Sequence, residues 1–151
     1  MKLSLLSILI ILAFTSVGQT INPNYDEALA KSLGAEENGM KHYIFVILKS
    51  GQNKTTDKAF KDSCFTGHLK NIGRLAESKQ LIVAGPFEKN DKDFRGLFIL
   101  NVATEEEANK LLMTDPAIKA DLLSPVLIPW YGSAALSEYM DAEKKVWKVR
   151  F

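Results

Sequence analysis

The chain has 151 residues, 46% of them hydrophobic and 25% charged, with 19 Lys and Arg against 18 Asp and Glu. Those values describe one domain with enough apolar material for a core, and they exclude collagen-like, coiled-coil and disordered classes. The near-neutral charge excludes an extended phosphate-binding face as well, so nucleic acid is not an expected partner.

The first residues read as a targeting segment, not as fold. Lys2 supplies a positive start, residues 3–14 are an almost unbroken apolar run, and Thr15, Ser16, Val17 and Gly18 offer the small side chains a signal peptidase needs. The run falls short of the roughly 17–25 apolar residues of a spanning helix, and no later segment is longer, so no integral membrane segment is expected after cleavage. Residues 1–18 are assigned as a signal peptide, which implies export to the periplasm or the medium; an uncleaved anchor is the alternative. Residues 19–39 then form an N-terminal extension, 40–133 the main domain and 134–151 a C-terminal tail.

Along the mature chain, residues 25–34 place acidic residues early, Lys31 late and Gly34 last, the signature of a short capped helix. Residues 42–49 (HYIFVILK) are β-branched and aromatic and are stopped by Ser50-Gly51, which predicts a first strand, buried at the sheet centre. A helical period runs over 59–79, followed by a strand over 81–87 (LIVAGPF) that Gly85-Pro86 halts, and a third strand over 94–102. Thr104 with Glu107 three residues on forms a capping box for a helix reaching about Met113. Asp115-Pro116 is a second helix start, since Asp suits the cap and Pro the first turn. Residues 126–131 (VLIPWY) make a fourth strand in which Pro129 demands an edge or a bulge, and 137–146 close with a helix. Strand, helix, strand, strand, helix, strand is the ferredoxin-like split βαβ order of an α+β protein, here with extra N- and C-terminal helices. Helices cover one face of such a sheet, and the apolar strands require cover on the other, which pairing of two sheets in a homodimer provides.

On the long helix, projection at about 100° per residue puts His68 in the middle of the apolar stripe, between Phe60, Cys64 and Leu75 on one side and Ile72, Phe65 and Leu69 on the other. A histidine there needs a hydrogen-bond partner. It is either a satisfied core residue or a general acid/base, a role that an unperturbed pKa of about 6.5 suits. Cys64, the only cysteine, lies one turn earlier and fits the core better than a nucleophile's role. Arg95 interrupts an apolar strand, either to hold a substrate carboxylate or to make a structural ion pair. Gly85 and Pro86 border the same end of the sheet. His42 opens a strand and is expected at the surface, and Trp130 and Tyr131 are a ligand platform or a core or dimer contact. There is no phosphate-binding loop, dinucleotide fingerprint, nucleophile elbow or zinc spacing, so neither cofactor nor metal is expected.

Four short runs carry a family resemblance: Gly67-His68-Leu69, the strand from Leu81 to Phe87, Arg95-Gly96-Leu97-Phe98-Ile99, and the run from Thr114 through Asp115-Pro116 to Ala120. In this order and spacing, over residues 40–131, the chain resembles the YCII-related domain family. The resemblance implies a ferredoxin-like dimeric fold and a His-Asp pair as the active site, placed on His68 and Asp115. It also implies proton-transfer chemistry of a lyase or hydrolase kind, including elimination of a halide from a ring. The signal segment, the helix before Met40 and the tail after Tyr131 depart from the family and leave the substrate open.

The expectation is therefore an exported homodimer with a small-molecule pocket. His68 would move the proton, Asp115 would fix its tautomer and steady the imidazolium, and Arg95, Gly85 and Pro86 would touch the substrate. Two other readings use the same residues: a non-catalytic ligand-binding or accessory module, and a structural or stress-related interaction protein. An imidazole reachable from a cleft favours catalysis; an enclosed one favours structure.

Overall fold

The computed structural model describes residues 22–148, so the signal segment lies outside the described residues. Helix α1 (Glu27–Leu33) begins where the Asp26 side chain accepts the Leu29 amide and ends at Gly34, whose φ of 70° is left-handed. Strand β1 (Met40–Ser50) follows, then helix α2 (Lys58–Glu77), capped by Asp57, and strands β2 (Leu81–Pro86) and β3 (Phe94–Leu100). Helix α3 (Glu105–Leu112) opens with the full capping box of Thr104 and Glu107, and the short helix α4 (Pro116–Lys119) is capped by Asp115.

Strand β4 (Leu123–Ser133) is longer than the apolar run 126–131 suggests, because the sheet order is β2-β3-β1-β4 and β4 pairs with β1 alone. At this edge the missing N–H groups of Pro125 and Pro129 disturb one ladder at most. All pairings are antiparallel and β1 is central, as its apolarity requires. This is the ferredoxin-like arrangement, α+β with an added helix at each end.

Alternation along β1 divides the two faces. Ile44, Val46 and Leu48 point to the helices and join Leu75, Leu81, Phe98, Leu100 and Leu112 in the main core. Each such side chain contributes about 1.5–3 kcal/mol when fully buried. Tyr43, Phe45 and Ile47 point the other way, opposite Trp130, Ile128 and Val126 of β4.

The tail corrects the expectation of one helix over 137–146. Ser133 accepts the Ala135 amide and starts a 3₁₀ turn over Ala134–Glu138, and only then does helix α5 (Tyr139–Val146) form. Leu136 and Met140 pack with Tyr43, Ile82, Val83 and Ile99, so the tail crosses one end of the second face. Tyr43 fastens that crossing by donating its hydroxyl to the Ser133 carbonyl at 2.9 Å. The rest of this face is bare: Val126, Ile128 and Trp130 are 43%, 42% and 37% exposed. No helix of the described residues is long and apolar enough to cross a membrane.

Candidate active site

The α2 stripe does not behave uniformly. Cys64 and Leu75 are buried, and so is Asn71, whereas Phe60, Phe65 and Leu69 are exposed. The stripe is wider than the sheet it packs on, and its surplus edge, Phe65 and Leu69, becomes a wall of a cavity of about 450 Å³ between α2, β2 and β3.

His68 lines that cavity with its side chain 12% exposed. Its ring is stacked on Phe98 at 5.9 Å and meets Phe65 edge-on at 6.2 Å, which leaves it little rotational freedom. Nδ1 lies 2.6 Å from Oδ2 of Asp115, a carboxylate only 1% exposed. The other oxygen, Oδ1, accepts the amides of Ala117 and Ile118 at 2.9 and 3.3 Å. One carboxylate thus caps α4 and holds the imidazole, each with its own oxygen.

Burial opposes ionisation of Asp115, but the His68 hydrogen bond and charge, with the two amides, outweigh it and hold the carboxyl below its ordinary pKa. An ionised carboxylate can only accept, so the proton of this contact sits on Nδ1. Nε2 is then the nitrogen with a free lone pair. This arrangement can take a proton from a bound molecule and return it, with the buried charge of Asp115 balancing the imidazolium formed in between.

Two local features make the contact possible. Gly67 faces α4 so closely that a Cβ there would stand 2.7 Å from Cγ of Pro116. The residue before Asp115 is clamped: Arg74 donates from α2 to Thr114 Oγ1 at 2.8 Å and to Asn71 Oδ1 at 2.7 Å. At about 100° per residue Arg74 falls on the polar side of α2, whereas the docking of α4 encloses the Asn71 end of this network.

Arg95, Gly85 and Pro86 also line the cavity. Arg95 is exposed and forms no ion pair among the described residues. His42 is exposed, 3.9 Å from Glu36, and Tyr131 donates to Glu36 at 2.7 Å beside it, away from the cavity. Trp130 is on the bare sheet face and Cys64 is in the core, neither among the cavity-lining residues. No group of His, Cys, Asp and Glu among the described residues could hold a metal ion.

Sequence reading missed one wall. Tyr139 and Glu143 of α5, with Trp147 just past its end, also line the cavity. Their four-residue spacing marks one helix face, but nothing local shows that this face meets the cavity. Burial, and after it the nearby Glu143 carboxylate, raise the pKa of the Tyr139 phenol, which therefore stays protonated.

No protein-family model matches the chain and no curated protein matches it. Among solved structures the chain is similar to the 5-chloro-2-hydroxyhydroquinone dehydrochlorinase of Burkholderia phenoliruptrix, in complex with 2,5-dihydroxybenzoquinone, at 21% identity and a TM-score of 0.40, covering 58% of this chain and 92% of that one.

Proposed function

We propose that the protein is an exported, YCII-like enzyme that moves a proton on a small molecule, with His68 as general acid/base and Asp115 as the residue that orients it. The observation that carries the reading is the 2.6 Å contact of Nδ1 with a buried carboxylate, on a histidine that itself lines a cavity. Arg95, Gly85 and Pro86 form the substrate side, where the Arg95 fork pairs with an anionic group on the molecule. No nucleophile stands beside the imidazole in this reading, so abstraction of a proton from carbon, as in a lyase-type elimination, fits better than acyl transfer. Solvent-deuterium exchange into a panel of carbon acids, with halide release from halogenated phenols as a second assay, tests it. The wild-type protein should catalyse one of these and His68→Gln should fold yet do neither; equal rates for both proteins overturn the assignment.

The assembly in this proposal is a homodimer. Val126, Ile128 and Trp130 leave an apolar strip on β4 that a second copy of the sheet would cover. Light scattering at micromolar concentration should give twice the chain mass; a monomer mass contradicts the assembly.

A further inference from the structure

The cavity carries two opposite charges that do not meet. Arg95 of β3 and Glu143 of α5 are both among its lining residues, and neither belongs to an ion pair among the described residues. The rest of the lining is mainly apolar and includes Phe98 of β3, Ile72 of α2 and Trp147. Tyr139 lies one turn before Glu143 on α5 and also lines the cavity.

A cleft of this kind has a chemical preference. A ligand with only an anionic group would satisfy Arg95 and place its apolar body against Glu143, whose partial desolvation then goes uncompensated. A ligand with only a cationic group has the reverse defect. A molecule with an apolar, ring-sized body, an anionic group at one end and an ammonium or other strong donor at the other meets both. Helix α5 itself is fixed by Met140, which is 7% exposed and packs on Ile82 and Tyr43, so the Glu143 side is part of the folded wall and not a loose tail.

We infer that α5 is the specificity wall of this cavity, and that Glu143 together with Arg95 selects dipolar small molecules, zwitterionic or carrying a donor as well as an acid, around an apolar ring. The inference rests on the cavity being the ligand site but not on His68 performing chemistry.

Three matched probes test it on the mature protein: para-aminomethylbenzoate, which is dipolar, para-toluate, which carries the acid alone, and para-methylbenzylamine, which carries the amine alone. Affinities are read from amide chemical-shift titrations. The dipolar probe should bind about fivefold or more tighter than either single-charge probe. Glu143→Gln should weaken the dipolar probe and the amine but not the toluate, and Arg95→Gln should weaken the dipolar probe and the toluate but not the amine. Equal affinity of the three probes, no binding of any, or shifts that both variants leave unchanged overturn the inference. The His68 ring signals in the same spectra report separately on the dyad, so a selective cavity with a histidine indifferent to Asp115 would retain this inference and reject the catalytic one.

Discussion

Asp115→Ala is expected to lower stability by about 3 kcal/mol, because it removes one partner of a buried contact and a helix cap in the same step. Asp115→Asn separates the two. Its amide oxygen can still accept the Ala117 and Ile118 amides, so α4 stays capped and most of the loss is avoided, but the charge facing Nδ1 is gone. Turnover should fall in both variants, on the order of 10³-fold, as expected when a general base loses the group that sets its tautomer. Urea unfolding separates the two variants on stability and the exchange assay shows them alike on activity. The wild-type protein should also show an acid limb. Since the folded carboxyl sits below its ordinary value of 3.8, the unfolded chain takes up the proton first as the pH falls. The stability from this group is therefore complete at neutral pH and is lost below about pH 4, as the pH drops through the folded pKa. Asp115→Asn should lack that part of the acid dependence; an identical limb in the variant would show that Asp115 is not its source.

Gly67→Ala is the second large effect, and it touches neither member of the dyad. The added methyl would meet the Pro116 ring at 2.7 Å, and a proline ring cannot swing aside as the end of a long side chain does. The helix would have to move off α2, which takes Asp115 away from His68. Overpacking of this kind costs about 1–3 kcal/mol, yet alanine is a better helix former than glycine by about 1 kcal/mol. The net loss of stability is thus expected to be modest while proton-transfer activity drops at least tenfold. Gly73→Ala is the comparison: Gly73 also lines the cavity, but a Cβ there meets nothing within 4 Å and leaves the α4 docking and the 2.6 Å contact in place. Equal activity of the two glycine variants would refute the role given to Gly67.

The parts of this molecule legible in the sequence are those with local causes. Thr104 and Glu107 announce a capping box at the right spacing, Asp115-Pro116 announces a helix start, and the apolar run of β1 announces a central strand. His68 stood out because a histidine in the middle of an apolar stripe needs an explanation. What was not legible depends on docking between distant segments. Asn71 and Arg74 look like the polar side of α2 until α4 arrives with Thr114. Phe65 and Leu69 look like core until the sheet proves too narrow to cover them. Tyr139, Glu143 and Trp147 look like a surface helix, and only the crossing fixed by Tyr43 and Met140 brings them to the cavity.

The central claim is that Asp115 holds the proton of His68 on Nδ1 and leaves Nε2 free toward the cavity. Long-range proton–nitrogen correlation NMR of the two histidines at neutral pH tests it most directly, because a protonated and a bare ring nitrogen resonate far apart. The account predicts that His68 shows Nδ1 protonated and Nε2 bare, and that Asp115→Asn shifts the proton toward Nε2 while His42, at the surface, does not change. A His68 ring protonated on Nε2 in the wild-type protein, or one that ignores the substitution, would contradict it.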